Sequence, residues 1–88
     1  MNRKFDIILF GATGFTGKLV AEYLSKHANT ENISWAIAGR DTEKLIAVSN
    51  TLSENKPAII TADINDVISL RNMVSQTKIL MNTVGPFN

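Results

Sequence analysis

Cysteine is absent from all 88 residues. That excludes disulfides, a thiolate nucleophile and thiolate metal sites, and it fits a reducing cytosol. Histidine is almost as scarce: His27 stands alone at the end of a helical stretch with no second ligand nearby, so it reads as solvated or capping and no metal site is expected. Neither sign of charge dominates, since nine Lys and Arg against eight Asp and Glu leave a net charge of +1. No basic cluster exceeds the Arg3-Lys4 pair, so nucleic acid and anionic membrane surfaces are not expected partners. Long apolar runs are missing too. Asp6 interrupts the stretch after Met1-Asn2-Arg3-Lys4, the run Ile7 to Phe10 is too short for the core of a signal peptide, and nothing reaches the length of a membrane span. A cytoplasmic protein is the expectation. Internal repeats and low-complexity tracts are absent as well.

What is present is globular in character, 44% hydrophobic and 19% charged. A chain of this length buries only about 60–65% of its unfolded surface, which limits it to one small domain. Phe5 to Phe10 is an apolar run stopped by glycine, as expected of a strand covered on both faces. Phe15 to about His27 reads as a helix with Leu19, Val20, Tyr23 and Leu24 inward, followed by a polar loop from Ala28 to Asn32. Ile33 to Ala38 alternates bulky and small residues, predicting a second strand with one bulky face. Asp41 is placed to cap a helix that buries Leu45, Val48 and Leu52 and ends near Asn55-Lys56-Pro57. Ala58 to Ala62 predicts a third strand, Asp66 to about Gln76 a third helix with Val67, Leu70, Met73 and Val74 inward, and Lys78 to Asn82 a fourth strand. The order βαβαβαβ implies parallel pairing through right-handed crossovers. The expected fold is α/β, the first half of a doubly wound parallel sheet with strand order 3-2-1-4. Because such a sheet usually continues for two more strands, residues 1–88 are read as the amino-terminal part of a longer protein, truncated after the fourth strand.

Three glycines at spacing three, Gly11, Gly14 and Gly17, lie between the first strand and the first helix in Gly11-Ala12-Thr13-Gly14-Phe15-Thr16-Gly17. A sharp turn there aims the unpaired N–H groups and positive dipole end of the helix at an anion, and a dinucleotide pyrophosphate fits. Gly11 is expected to make the turn, Gly14 to admit the pyrophosphate without a Cβ, and Gly17 to let the helix pack on the strand. Thr13 stands where the commoner Gly-x-Gly-x-x-Gly fingerprint has its second glycine.

At the end of the second strand, where NAD binders carry a carboxylate for the ribose hydroxyls, the sequence reads Gly39-Arg40. A guanidinium binds a 2′-phosphate and stacks on adenine, so NADP is the expected cofactor. Asp41 follows directly and offers the alternative ribose role, which keeps NAD open. Thr42 and Lys44 are candidates to assist the phosphate. Asp63-Ile64 ends the third strand beside the expected adenine edge; Asp63 either accepts the exocyclic amine or caps the third helix. Asn82-Thr83-Val84-Gly85-Pro86 ends the fourth strand at the topological switch point, on the cofactor's central or nicotinamide side. Tyr23 and Lys26 are spaced three apart rather than four and sit on the wrong helix for a catalytic Tyr/Lys pair, and Tyr23 and Trp35 are both expected in the core. No catalytic acid–base pair or nucleophile is visible.

The segments Gly11 to Gly17, Trp35-Ala36-Ile37-Ala38-Gly39-Arg40 with Lys44-Leu45, Ala62-Asp63-Ile64, and Asn82 to Phe87 together resemble the start of the saccharopine dehydrogenase-like oxidoreductases, whose relatives include trans-acting enoyl reductases. The resemblance implies a Rossmann-type NAD(P)-binding domain, with a small-molecule substrate bound by a further domain beyond residue 88 and hydride transfer to a carbonyl, imine or activated alkene. By itself the fragment is expected to be inactive. The alternative in another class is a non-catalytic NADP(H)-sensing regulator. Substrate and reaction direction are not legible in these residues, and a homo-oligomer stays open.

Overall fold

The computed structural model describes residues 4–52 and 55–83. Its elements run β1 (Phe5–Phe10), α1 (Phe15–Glu31), β2 (Trp35–Gly39), α2 (Thr42–Asn50), β3 (Ala58–Thr61), α3 (Val67–Ser75) and β4 (Thr77–Asn82). The four strands form one parallel sheet in the order β3-β2-β1-β4, as the alternation of strands and helices predicts. In the central register Ile8 lies beside Ala36 and Leu80.

Side chains alternate across a strand, so β1 feeds two cores. Leu9 joins Leu24, Trp35, Ile37, Leu45, Val48 and Leu52 on the side covered by α1 and α2. Ile8 and Phe10 join Ala36, Ala38, Ala62 and Met73 on the side covered by α3. The bulky face of β2 thus meets α1 and α2, while its small face leaves room for Ile8, Phe10 and Met73. The Trp35 indole N–H, which burial would otherwise orphan, donates to the Asn55 carbonyl at 3.1 Å. Full burial of a side chain such as Ile8, Leu9 or Ile37 contributes about 1.5–3 kcal/mol relative to exposure.

Several local expectations need correction. α1 runs four residues past His27 and replaces the expected loop, because Ala28 is buried on its inner face and the stop comes only at Asn32, whose φ of 58° opens a left-handed cap. The Ile33 amide closes that cap on the Ala28 carbonyl at 2.8 Å, a Schellman bond. β2 consequently begins at Trp35 rather than Ile33. The inward stripe of α1 is Gly17, Ala21, Leu24, Ser25 and Ala28, whereas Leu19 and Tyr23 are exposed, Tyr23 at 61%. Small residues on that stripe bring the helix axis close to the sheet, and they rotate the larger side chains outward. Tyr23 instead lies against His27, with ring centroids 4.2 Å apart. α2 stops at Asn50 rather than near Asn55, and the Lys56 ammonium donates to the Ser49 and Leu52 carbonyls at 2.9 and 2.8 Å. On α3 only Met73 is fully covered; Val67 and Val74 are exposed. Among the described residues β4 is an edge strand, with Ile79 and Leu80 exposed on its two faces.

At the opposite end of the sheet from the glycine turn, the Asp6 carboxylate accepts the Ser34 amide at 3.0 Å and pairs with Lys78 at 3.3 Å. The Ser34 amide, and then Lys78, hold the Asp6 carboxyl below the usual aspartate value. A depressed folded value means the stabilisation is complete above the unfolded pKa of about 3.9 and is lost as pH falls through the folded one. Asp6→Asn should therefore unfold at lower urea than the parent at neutral pH, with the gap closing toward about pH 3. A gap that is constant across pH would contradict the assignment.

Candidate functional site

All four strands are parallel, so their carboxyl ends share one edge, and the loops that follow β1 and β3 leave it toward opposite faces, where α1 and α3 lie. Gly11 makes the turn out of β1 with φ at 97°, a conformation that L side chains rarely adopt. Its amide still bonds the Ala38 carbonyl at 3.2 Å, and its own carbonyl accepts the Gly14 amide at 3.2 Å. The Thr83 hydroxyl donates to the Phe10 and Gly11 carbonyls at 3.1 and 2.9 Å, and the Thr83 amide bonds Phe10 at 2.9 Å. Thr83 is therefore a brace that ties the end of β4 to the glycine turn.

The first helical bond of α1 runs from the Lys18 amide to the Gly14 carbonyl at 2.9 Å. The amides of Phe15, Thr16 and Gly17 precede it and belong to the open end of the helix, with no acidic side chain in the first turn. The three glycines differ in what holds them. A Cβ on Gly17 would run into the Gly11 carbonyl oxygen and stand 2.7 Å from the Ala12 Cα, so packing forbids a side chain. A Cβ on Gly14 would meet nothing closer than the Gly11 oxygen at 3.8 Å. The chain's own packing leaves that position open, and the space a side chain would fill lies at the helix mouth where a pyrophosphate would approach. The donor set and the space both fit a dinucleotide. Ala12 is fully buried and can offer main-chain groups only, while the side chains of Thr13, Phe15 and Thr16 are exposed around the turn.

Beside the turn a cleft of about 370 Å³ opens between the ends of β1, β2 and β3. Gly11 and Thr13 form one wall, Gly39 and Arg40 the second, and Ala62, Asp63 and Ile64 the third. Residues far apart in the chain, singled out one by one from the sequence, thus line a single space. Arg40 is exposed and makes no ion pair among the described residues. Asp41 caps α2, its Oδ1 accepting the Lys44 amide at 3.1 Å, so the carboxylate that offered an alternative ribose ligand already serves the helix. The Thr42 hydroxyl pairs with that of Thr61 at 2.9 Å, which turns it toward β3.

Asp63 does not cap the third helix. Asp66 does, its Oδ1 accepting the Ile68 and Ser69 amides at 3.1 and 3.3 Å, and the Asp63 Oδ1 accepts the Asn65 amide at 2.9 Å in an Asx turn. Ser69 fixes the Asp63 main chain from both sides, accepting its amide at 3.0 Å and donating to its carbonyl at 3.3 Å. Ile64 is 60% exposed, an apolar side chain at the lip of the cleft. Val84, Gly85 and Pro86 lie outside the described residues. Among those described, no helix is long and apolar enough to cross a membrane, and no group of three or more His, Asp or Glu is placed to hold a metal ion. Lys18, which helical periodicity puts on a wet face, stands one turn beyond Gly14 and lines a second cleft that shares Thr13 with the first.

Comparison with known proteins agrees with this geometry. The family described as saccharopine dehydrogenase NADP binding domain matches residues 7–88. Trans-acting enoyl reductases of Mycobacterium tuberculosis and Mycobacterium bovis are each 41% identical over 97% of the chain and 20% of their own length. A lipid droplet localized protein of Caenorhabditis elegans is 38% identical over 96% of the chain and 21% of its length. The chain therefore spans about a fifth of the curated relatives it matches.

Proposed function

Because the chain belongs to the saccharopine dehydrogenase NADP binding domain family, we propose that the three-walled cleft at the strand ends is its NADP site, within an oxidoreductase. The observation that carries this reading is the convergence of the open Gly14 position, Arg40 and Asp63-Ile64 on one edge of the sheet. In this reading the amides of Thr13, Phe15, Thr16 and Gly17 and the dipole of α1 hold the pyrophosphate, with Gly11 and Ala12 shaping the turn. The Gly39 main chain lines the cleft beside the adenosine ribose at the end of β2, while a Cβ there would face the buried Leu45. The Arg40 guanidinium, with no carboxylate partner among the described residues, binds the 2′-phosphate and covers one face of the adenine. Asp63 accepts the adenine amine through the oxygen left outside its Asx turn, and Ile64 covers the ring. Thr83 keeps the Gly11 turn in place at the switch point. The nicotinamide ring, when bound, supplies a hydride.

Residues 1–88 are then the first part of the dinucleotide-binding domain, and the substrate, a carbonyl, imine or activated alkene, is held by the part of the longer protein that this chain does not span. The printed names of the mycobacterial relatives favour the activated alkene. A cytoplasmic setting belongs to the same proposal.

Arg40→Ala tests it. Calorimetric titration should show affinity for 2′-phospho-ADP-ribose falling about tenfold or more, the worth of a charge-assisted bond of about 1.5–3 kcal/mol. ADP-ribose should lose only the contact over the adenine, a smaller fall of about two- to fivefold. Equal losses for both ligands, or none, would overturn the assignment of Arg40.

A further inference from the structure

A second cleft, of about 440 Å³, opens between α1 and α2 on the far side of Thr13 from the first, and Thr13 lines both. Its charged lining comes from two helices: Lys18 in the first turn of α1 and Lys44 in the first turn of α2. Neither lysine makes an ion pair among the described residues. The floor is the apolar pair Ala47 and Val48, and the Thr51 hydroxyl at the rim is spent on the Val48 carbonyl at 2.6 Å. Two cations held over an apolar floor repel each other and attract an anion, and the open amino end of α1 adds positive potential, whereas that of α2 is capped by the Asp41 carboxylate and carries Glu43 in its first turn. The two clefts share Thr13, so an adenosine ribose seated in the first would lie beside this cationic pocket. Thr42, the other polar residue that the sequence offered for this duty, is turned away to Thr61.

We infer that Lys18 and Lys44, on two different helices, form the seat of the adenosine 2′-phosphate and set the preference for NADP over NAD, with Arg40 closing over it from the first cleft. This inference rests on the reading of the first cleft as the adenosine site. It adds a residue, Lys18, that lies outside the strand-end segment where nucleotide preference is ordinarily sought.

The test is calorimetric titration of the chain and of Lys18→Gln, Lys44→Gln and the double variant with 2′-phospho-ADP-ribose and with ADP-ribose, circular dichroism confirming that each is folded. Each single variant should lose about threefold to tenfold in affinity for the phosphorylated ligand, as partly screened charge pairs do. ADP-ribose affinity should stay within about twofold, since its phosphates sit on α1 and not in this pocket. Inorganic phosphate added to the parent chain should compete with the phosphorylated ligand more strongly than with ADP-ribose, since both ligands share the α1 site and only one uses the lysine pocket. If the lysine variants keep the full preference while Arg40→Ala loses it, the pocket is not the phosphate seat and the adenosine reading survives. Equal weakening of both ligands would also overturn the inference, by making the lysines part of the general field. If the folded parent chain binds neither ligand, the adenosine reading fails and this inference with it.

Discussion

Gly17→Ala should cost the chain about 3 kcal/mol or more of stability, at the upper end of what overpacking does. The added methyl would have to share space with main-chain atoms, the Gly11 carbonyl and the Ala12 Cα at 2.7 Å, and main chain cannot swing aside as the end of a flexible side chain can. Relief would require α1 to lift off β1, which opens the packing of Ala21, Leu24 and Ala28 against Leu9 and Ile37. An 88-residue chain has about 4–13 kcal/mol in all, at roughly 0.05–0.15 per residue, so the loss is a large share. The midpoint of urea unfolding measures it directly. A midpoint within experimental error of the parent would mean that α1 does not pack as closely as described.

Gly14→Ala should do the opposite: leave the fold intact and remove binding. Its Cβ would have no neighbour within van der Waals distance apart from the Gly11 oxygen at 3.8 Å, and Gly14 does not have positive φ. The weaker cap that alanine makes is offset by the smaller entropy of its unfolded chain, so stability should change by less than about 0.5 kcal/mol. On the proposed reading ligand affinity should fall about ten- to hundredfold, because the methyl would stand where the pyrophosphate meets the α1 amides, and bonds to a charged group carry about 1.5–3 kcal/mol. Unfolding and calorimetric titration of one sample separate the two effects. Together the pair of variants distinguishes a glycine kept for packing from one kept for a ligand, although both stand in one motif at equal spacing.

The sheet was legible because its strands are short apolar runs separated by helices, a pattern with one low-cost chain path. Helix faces were harder to read. Periodicity weighs a large apolar side chain above a small one, so Leu19 and Tyr23 were expected inside α1, whereas close approach to the sheet selects Gly17, Ala21 and Ala28 and turns the larger side chains outward. Helix ends depended on contacts beyond the local pattern: α1 continues because Ala28 finds a place in the core, and α2 ends where the Lys56 ammonium reaches the Ser49 carbonyl of its last turn and the Leu52 carbonyl just past it.

Within the site, the glycines, Arg40 and Asp63-Ile64 were readable because each lies at a fixed distance from the end of a strand. The Thr83 brace joins residues 73 apart, and the Lys18-Lys44 pocket joins two helices. No spacing rule announces either. Asp63 and Asp66 also show how a local ambiguity resolves: two carboxylates three apart could each cap α3, and the one directly before its first turn takes the role.

Whether the strand ends form one NADP site is read residue by residue from amide shifts in heteronuclear NMR on titration with NADP. Saturable shifts are expected at Gly11 to Gly17, Gly39-Arg40 and Asp63-Ile64, with Asp6, Ser34 and Thr77 at the far end of the sheet unmoved. Shifts centred on that far end, or none in a folded chain, would contradict a site at the strand ends.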